Sequence, residues 1–360
     1  MAKFSEILTI VNGKNQSKVE NPNGKYPIYG SGGVMGYADD YLCEAETVVI
    51  GRKGSINKPI YVEEPFWNVD TAFGLSADRS VLLPKYLFYF CVHFDFEQLN
   101  TTVTIPSLTK ANLLNIEMRL PSLITQQKIV DRLSKVDELI ALRKEQLAKL
   151  DQLIKSRFIE LFGDPVSNPH GYPKVPLSEL AEIKIGPFGS LLHKEDYIAN
   201  GHALVNPSHI VAGKISVDDE LTVSDEKFSE LSAYHLQIGD VVMGRRGEMG
   251  RCAVVQTDGL LCGTGSLLIR TKGDVTADYL QKIISFPSFK KTIEDMAVGQ
   301  TMPNLNVPIV SKFQIIKPPI EVQEAYYTFV EQTDISKLAI QQSLDKLELL
   351  KKSLMQRYFG

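Results

Sequence analysis

The stretch KSRFIELFG at residues 155–163 is repeated, with changes, in KKSLMQRYFG at residues 351–360. The two copies align at an offset of 197 residues (352 − 155), and the same frame continues without a gap back to Pro106 and Pro303. Of these 58 aligned positions 13 are identical, and many of the others pair one apolar residue with another. A repeat of this kind defines the unit from which the fold is built.

The repeat extends upstream at a drifting offset. VIGRKGSI (49–56) corresponds to VMGRRGEM (242–249) at an offset of 193, and FSEILTIVNG (4–13) corresponds to LSELAEIKIG (177–186) at an offset of 173. A drifting offset indicates loop insertions inside a repeated unit. The chain is therefore predicted to contain two copies of one module.

Length, composition and charge are those of an ordinary globular protein. The 360 residues suffice for roughly two domains, and 44% of them are hydrophobic and 23% charged. No apolar run approaches the ~20 residues of a membrane span, and the first residues do not resemble a secretion signal. A net charge of −4 means that any nucleic-acid surface must be a local concentration of cations. The cysteines form no CxxC pair, which favours a reducing cytoplasm; they are Cys43, Cys91, Cys252 and Cys262.

Two segments, 121–163 and 318–360, are predicted to form long helices. In both, apolar residues recur at spacings of three and four, the pattern of a coiled-coil seam. The polar interruptions of the two seams do not coincide, since Lys337 stands where the first helix has an isoleucine. The predicted seam residues are Ile129, Leu133, Val136, Ile140, Leu147, Leu150 and Ile154 in the first helix, and Tyr326, Val330, Ile340, Leu344 and Leu347 in the second.

The rest of the chain consists of short β-rich runs and short helices. TVVIG (47–51) is typical of a strand, and PKYLFYFCVHF (84–94) is typical of a short helix. We therefore predict an α+β fold with two similar mixed α/β modules, each followed by a long helix. Module 1 comprises residues 1–120 and module 2 residues 173–317, with a proline-containing linker at 164–172.

The sequence lacks the common catalytic signatures. It contains no GxxxxGK[ST] phosphate loop, no HExxH metal motif and no GxSxG nucleophile elbow. The Asn-Pro-Pro-aromatic signature of amino methyltransferases is also missing, and the six histidines have no ligand spacing. We therefore predict no catalytic residue, no metal site and no cofactor in this chain.

Two turns at equivalent places in the copies carry adjacent cations between glycines. Glycine permits a tight turn, and arginine can grip phosphate or read guanine through two hydrogen bonds. We predict that these cations face DNA, although a solvated hairpin tip would have the same sequence. They are Arg52 and Lys53 in GRKG (51–54), called cationic turn 1, and Arg245 and Arg246 in GRRG (244–247), called cationic turn 2.

Two further pairs of loops are candidates for the same surface. PIYGSGGVMGY (27–37), with Ser31 as its candidate contact, corresponds to ALVNPSHIVAG (203–213). Polar loops also precede each long helix, NTTVTIPSLTK at 100–110 and VGQTMPNLN at 298–306. Such side chains can form hydrogen bonds to phosphates or base edges. The alternative interpretation is that they cap helices and form turns. The candidate DNA contacts in the polar loops are Thr101, Thr102, Thr104, Gln300, Thr301 and Asn304.

Two binding modules joined by two long helices would form a pseudo-dimer, which calls for a ligand with two half-sites. A helix of about 37 residues is ~55 Å long, so it would hold the modules about one to one and a half DNA turns apart. Because the copies have diverged, we expect the half-sites to differ in sequence and the helix length to set the gap between them.

Together these features resemble the specificity (S) subunit of type I restriction–modification systems. The resemblance covers essentially the whole chain. The motifs occur in the same order in both copies, and this repeated order identifies the family more specifically than any one fragment. In the first copy it rests on FSEILTIVNGKN (4–15), YPIYGSGGVMGY (26–37), VVIGRKGSI (48–56) and LPSLITQQKIVDRLSKVDELI (120–140) running into LFGDP. In the second copy it rests on GDVVMGRRGEMGRCAVV (239–255) and KPPIEVQEAYYTFVEQ (317–332).

The resemblance implies two target-recognition domains, each binding half of a bipartite, asymmetric double-stranded DNA site, and an antiparallel coiled coil formed by the helices. It implies that outward residues of helices 124–162 and 321–359 carry two methyltransferase (M) subunits, which bind S-adenosylmethionine and methylate adenine N6. Restriction (R) subunits would use ATP and Mg²⁺ for cleavage. The chain itself would be a non-catalytic, cytoplasmic recognition subunit with no membrane partner.

Three other functions fit parts of the sequence. A specificity chain of a type II system would share the DNA-recognition motifs and differ in the subunit that co-purifies with it. A coiled-coil adaptor that binds only proteins would explain the helices and leave the repeated cationic turns without a role. A self-sufficient methyltransferase conflicts with the missing catalytic signature.

Overall fold

A computed structural model of the chain describes residues 1–99, 107–297 and 304–360. The chain divides into two compact units. Unit 1 comprises Met1–Leu147 and Leu338–Gly360, and unit 2 comprises Ala148–Lys337. Each unit therefore contains one module together with a part of both long helices.

Unit 1 is built around two antiparallel sheets and a short parallel pairing. Its strands are β1 (Ala2–Lys3), β2 (Leu8–Asn12), β3 (Tyr26–Gly30), β4 (Gly33–Ala38), β5 (Thr47–Gly51), β6 (Ile60–Val62), β7 (Trp67–Asn68), β8 (Ala72–Ala77) and β9 (Glu117–Met118). Its helices are α1 (Phe4–Ile7), α2 (Pro84–His93), α3 (Lys110–Leu114) and the long α4 (Leu123–Phe162), which continues into unit 2. The sheet orders are β2-β8-β5-β6, β4-β3-β7 and β1-β9, and β3 pairs with β7 in parallel.

Unit 2 repeats this plan with additional strands. Its strands are β10 (Lys174–Pro176), β11 (Ala181–Ile185), β12 (Tyr197–Ile198), β13 (His202–Val205), β14 (Ile210–Val211), β15 (Lys214–Ile215), β16 (Thr222–Val223), β17 (Val241–Gly244), β18 (Cys252–Val254), β19 (Leu261–Cys262), β20 (Ser266–Thr271) and β21 (Gln314–Ile316). Its helices are α5 (Leu177–Leu180), α6 (Asp225–Glu230), α7 (Ala277–Ile284), α8 (Pro287–Met296), α9 (Val307–Val310) and the long α10 (Ile320–Phe359), which continues into unit 1. The larger sheets are β11-β20-β17-β18 and β12-β16-β13-β19.

The central sheets of the two units correspond strand by strand. Sheet β2-β8-β5-β6 has the same antiparallel order as β11-β20-β17-β18. Strands β5 and β17 are buried along their whole length, which explains their continuous apolar sequences, since a strand covered on both faces has no polar side. The prediction of two similar mixed α/β modules, each followed by a long helix, is confirmed.

The helices pair antiparallel within each unit. In unit 1 the Lys351 ammonium lies 2.6 Å from the Asp137 carboxylate, and Lys144 lies 3.1 Å from Glu348. In unit 2 the Lys337 ammonium lies 2.8 Å from the Asp151 carboxylate. The pairs Asp137–Lys351 and Asp151–Lys337 follow the same helix-to-helix alignment. The two aspartates are 14 residues apart on α4 (151 − 137), and the two lysines are 14 residues apart on α10 (351 − 337).

The predicted seam residues lie on the inner side of these helices to different depths. Those that are fully buried are Ile129, Leu133 and Val136 on α4, and Tyr326 and Leu344 on α10. Those that are half-buried are Ile140, Leu147, Leu150 and Ile154 on α4, and Val330, Ile340 and Leu347 on α10.

The repeated phrase at the helix ends has a packing role. Phe162, at the end of α4, packs its ring 5.0 Å from Tyr279 in the core of unit 2. Phe359, at the end of α10, lies 5.1 Å from Tyr86, against the core of unit 1. The phenylalanines correspond at the offset of 197 and the tyrosines at 193. The end of α4, the helix that follows module 1, therefore packs in the core of unit 2. The end of α10, which follows module 2, packs against the core of unit 1.

The start of each long helix is fixed by a buried glutamine. In unit 1 the Gln126 amide donates to the carbonyls of Val81 and Pro121, at 2.8 and 2.9 Å, and its oxygen accepts from the Leu83 N–H at 2.8 Å. Gln323, its equivalent at the offset of 197 in unit 2, bonds in the same way to the Thr276 N–H at 3.0 Å, and to the carbonyls of Pro318 and Asp274 at 3.0 and 3.5 Å.

Candidate nucleic-acid interface

Cationic turn 1 stands at the end of a buried strand. As β5 leaves the core, it delivers Arg52 and Lys53 to the surface, where both side chains are exposed. Gly54 closes the turn at a φ of +78°, in the left-handed region that glycine adopts without strain. The Arg52 guanidinium lies 5.8 Å from the ring of Phe73, a cation–π contact that helps to orient it.

This turn is hydrogen-bonded to the segment that precedes α3. The Leu108 N–H donates to the Arg52 carbonyl at 2.9 Å, and Lys53 pairs with Ser107 through an antiparallel bridge. On its other side the Arg52 N–H donates to the Thr71 carbonyl at 2.7 Å. The backbone of cationic turn 1 is therefore fixed on both sides while its two cations project.

Cationic turn 2 is built in the same way at the end of β17. The Leu305 N–H donates to the Arg245 carbonyl at 2.9 Å, and the Arg245 N–H donates to the Gly265 carbonyl at 3.0 Å. Arg246 is exposed and bridges Asn304, whose side-chain oxygen accepts from Arg245 Nε at 3.2 Å. The glycine that closes this turn, Gly247, has a φ of +80°.

The structure thus brings each cationic turn together with the end of the polar loop that precedes the long helix. In the sequence the turn and the polar loop are separate motifs. In the structure one backbone hydrogen bond joins them in each module, Leu108 to Arg52 and Leu305 to Arg245, so they share one surface. Asn304 is the predicted polar-loop contact that lies in this surface. The other five, Thr101, Thr102, Thr104, Gln300 and Thr301, lie outside the described residues.

The residues that follow this point in each polar loop cap helices. The Thr109 hydroxyl accepts from the Asn112 N–H at 3.2 Å at the start of α3. Its equivalent at the offset of 197, Asn306, accepts from the Ile309 N–H at 3.0 Å at the start of α9. Capping, the alternative role for these loops, is therefore the role of Thr109 and Asn306.

The third pair of loops also packs against the cationic turns. A Cβ atom on Gly51 would lie 3.0 Å from the Cβ of Ser31, so the loop at 27–37 touches the residue before Arg52. In module 2 a Cβ atom on Gly244 would lie 3.2 Å from the Cβ of Pro207, in the equivalent loop. Three loops therefore meet at one surface in each module.

The charges of this surface are unbalanced. Burial, followed by the charge of Arg246, lowers the pKa of the Arg245 guanidinium below its usual value. By contrast, Arg251 and Lys290 both pair with Glu248, which follows cationic turn 2, at 2.6 and 3.1 Å. Within the described residues, no carboxylate forms an ion pair with the cations of either turn. An anion placed between Arg245 and Arg246 would relieve their repulsion.

Other chemistry is not organised in the part of the chain that the structure describes. No group of His, Cys, Asp and Glu side chains there could hold a metal ion. The cysteine thiols are buried, and burial raises the pKa values of Cys43, Cys252 and Cys262 to about 12, far from the range of a reactive thiolate. No described helix is long and apolar enough to cross a membrane.

Comparison with known families agrees with this duplicated arrangement. The family model described as the type I restriction modification DNA specificity domain matches residues 1–152 and 169–349. The chain belongs to this family. Each matched region contains one module and the greater part of the long helix that follows it.

Individual relatives of this specificity family match along nearly the whole chain. A Haemophilus influenzae protein, provisionally named type I restriction enzyme specificity subunit S.HindORF215P, is 22% identical over 376 aligned residues, which cover 98% of this chain and 94% of the relative. The crystal structure of the type I restriction–modification S subunit from M. genitalium matches with a TM-score of 0.60, at 15% identity, over 100% of this chain and 95% of that one. The HsdS subunit from Thermoanaerobacter tengcongensis matches with a TM-score of 0.52, at 17% identity, over 99% and 95%. At these identities the structures establish the shared fold.

Two features of this specificity-family chain escaped sequence reasoning. Gln126 and Gln323 are identical at the offset of 197, yet a glutamine near a helix start is usually exposed. The packing of Phe162 and Phe359 into module cores was also missed, although FG ends both repeats. In both cases the signal was identity within the repeat at positions outside the seam.

Proposed function

We propose that this chain is the DNA-recognition subunit of a type I restriction–modification complex and binds a bipartite, asymmetric double-stranded site, one half with each module. One observation carries the proposal: in both units a cationic turn is hydrogen-bonded to the segment before a helix and lies beside a third loop. The backbone arrangement of this surface is the same in both modules, whereas its side chains differ. Two such surfaces would bind two half-sites of different sequence.

The cations account for affinity in this proposal, and the neighbouring side chains account for sequence. Each cation that neutralises a phosphate releases counterions, so four such contacts would give log K a slope of roughly −3 to −4 against log salt. This local charge reconciles DNA binding with the net charge of −4. Ser31 and Asn304 lie beside the cations, where short polar side chains can reach base edges or phosphates.

The chain has no catalytic role in this proposal. Two M subunits would bind S-adenosylmethionine and methylate adenine, and R subunits would use ATP and Mg²⁺, all in the cytoplasm. The outward faces of α4 and α10 would carry the M subunits, because large apolar side chains there remain exposed, as expected of a protein contact. They are Ile124, Leu142, Leu153, Ile159, Ile335, Leu338, Leu349 and Leu350.

The decisive experiment is a genome-wide map of N6-methyladenine in the source cell with and without this gene. We expect deletion to remove methylation from one bipartite motif, two short half-sites separated by a fixed gap. Complementation with the intact gene should restore that motif. Methylation of the same motif in the deletion strain would contradict the proposal.

Purification of the chain with its partners separates the proposal from the adaptor and type II functions. We expect a separate methyltransferase subunit to co-purify and the complex to bind DNA with strong salt dependence. A complex that binds no DNA at low salt would favour an adaptor. A partner in which methyltransferase and nuclease are fused would favour a type II system.

A further inference from the structure

The hairpin formed by β3 and β4 has an exposed, uncharged tip. Val34 and Met35 on β4 are 53% and 63% exposed, and no charged residue occurs between Tyr26 and Ala38. β4 is the outer strand of the sheet β4-β3-β7, and its outer edge is paired toward the base, where the Asn21 N–H donates to the Tyr37 carbonyl and Ala38 bridges Glu20. The tip lies beyond this pairing. Exposed edge strands usually carry charged side chains that prevent association, so an apolar edge marks a contact surface.

One glycine of this hairpin, Gly32, is required neither by a positive φ nor by close packing. Gly33 has a φ of +119°, which the tight turn requires, whereas Gly32 has no such backbone conformation. A Cβ atom on Gly32 would meet nothing within 4 Å. Because neither strain nor packing explains this glycine, its missing side chain leaves room for something outside the chain.

Met35 is held in place above the hairpin. A Cβ atom on Gly30 would overlap the sulfur of Met35, so the side chain lies directly over the glycine. The Glu20 carboxylate lies beside Gly36, 3.6 Å from where its Cβ would be, toward the base of the hairpin. The uncharged surface is therefore restricted to the tip, residues 31–35.

The tip is continuous with cationic turn 1. Ser31 packs on Gly51, directly before Arg52, so the apolar side chains and the two exposed cations belong to one surface. A protein partner would have to accommodate two exposed cations that form no ion pair with any described carboxylate, whereas a DNA duplex offers phosphates to them and base edges to the tip. Charge therefore favours DNA as the occupant.

We propose that the β3–β4 tip enters the major groove of one half-site and that Val34 and Met35 contact thymine methyl groups. The major groove admits a two-stranded β-ribbon, and apolar side chains recognise thymine there through its 5-methyl group. Gly32 allows the DNA backbone to approach the turn closely. This inference rests on the proposed DNA-recognition function.

The test uses the complex of this chain with its methyltransferase subunits and a duplex carrying the mapped bipartite motif. Thymine is replaced by uracil, which lacks the methyl group, in one half-site at a time, and affinity is measured by fluorescence anisotropy. We expect uracil in one half-site to weaken binding about fourfold for each contacted methyl group. The variant Val34→Thr/Met35→Gln should bind the thymine and uracil forms of that half-site equally.

Two further variants make the test specific. Gly32→Ala should leave the unfolding temperature unchanged and weaken binding, because the added methyl group faces only the DNA. Val81→Thr changes an exposed valine of unit 1 outside the hairpin and should leave both affinity and uracil discrimination unchanged.

The outcomes separate this inference from the proposed function. A complex without sequence-specific DNA binding would overturn the proposed function. Specific binding that tolerates uracil in both half-sites, or that retains its discrimination in Val34→Thr/Met35→Gln, would overturn the hairpin inference alone. Loss of the methyltransferase subunit from that variant would assign the hairpin to a protein contact and would overturn it as well.

Discussion

At the scale of residues, the candidate interface depends on neighbouring cations that form no ion pair with a carboxylate among residues 1–99, 107–297 and 304–360. Arg245 is half-buried, and its pKa is lowered by burial and by Arg246. Such an arrangement costs free energy in the isolated chain, and that cost is recovered when a phosphate binds. Affinity for anions is thereby concentrated at these turns.

Charge reversal at cationic turn 2 tests this placement. Arg245→Glu/Arg246→Glu should abolish specific DNA binding under physiological salt and stop methylation in the cell, because two phosphate contacts become repulsive. Association with the M subunits should remain, since the turn lies at the end of β17 and away from the long helices in sequence. DNA affinity, methylation and subunit co-purification are the three measurements.

The control separates position from charge. Arg246→Glu and Lys312→Glu each reverse one exposed cation of module 2. Only the first should weaken DNA binding, by at least tenfold at low salt. Equal effects of the two substitutions would mean that binding responds to net charge and that cationic turn 2 has no special place in it.

At the scale of elements, a buried glutamine joins each long helix to its module. The side chain of Gln126 satisfies three backbone groups, those of Val81, Leu83 and Pro121, at the point where the helix leaves the globular part. Because these groups are buried, losing their partner leaves them unsatisfied. The joint therefore sets the direction in which α4 departs.

Gln126→Leu should destabilise unit 1 by about 1–3 kcal/mol, which corresponds to roughly 2–10 °C in its melting temperature. Gln127→Leu is the matched control, because the neighbouring side chain is exposed and should change the melting temperature little. Calorimetry of both variants provides the comparison. If Gln127→Leu were as destabilising as Gln126→Leu, the hydrogen bonds would not be the cause.

The long elements were predictable from the sequence because their signal is local and periodic. The spacing of Leu133 and Val136 defines a seam within one segment, and GRKG repeats as GRRG at an offset of 193. The partners of Gln126 and Phe359 were not predictable, since they lie 43 residues upstream (126 − 83) and across the chain at Tyr86. Periodicity identifies which face is buried, and it carries no information on what covers that face.

At the scale of the whole molecule, the lengths of α4 and α10 are predicted to set the gap between half-sites. Seven residues of helix rise about 10 Å, close to three base pairs of DNA. Deleting 138–144 together with 344–350 removes one matched heptad from each helix and retains the pairs Asp137–Lys351 and Asp151–Lys337. The recognised gap should shorten by about three base pairs, or activity should be lost.

Methylome sequencing of a strain carrying the shortened chain gives the new gap directly. Ala141→Ser, an exposed position within the deleted heptad, keeps the helix length and should keep the gap. Retention of the original gap by the shortened and active chain would rule out helix length as the ruler. A variant that neither folds nor assembles is distinguished by its melting curve and its M-subunit content.

The division of the chain between the units has a consequence for synthesis on the ribosome. Unit 2 is one continuous segment, Ala148–Lys337, whereas unit 1 needs Leu338–Gly360 in addition to Met1–Leu147. Met355 and Phe359 contribute to the core of unit 1, so the module that emerges first waits for residues that emerge only after all of unit 2. Translation order and folding order are thereby reversed: the second half of the nascent protein closes its core first, and the first half exposes apolar surface to chaperones until then.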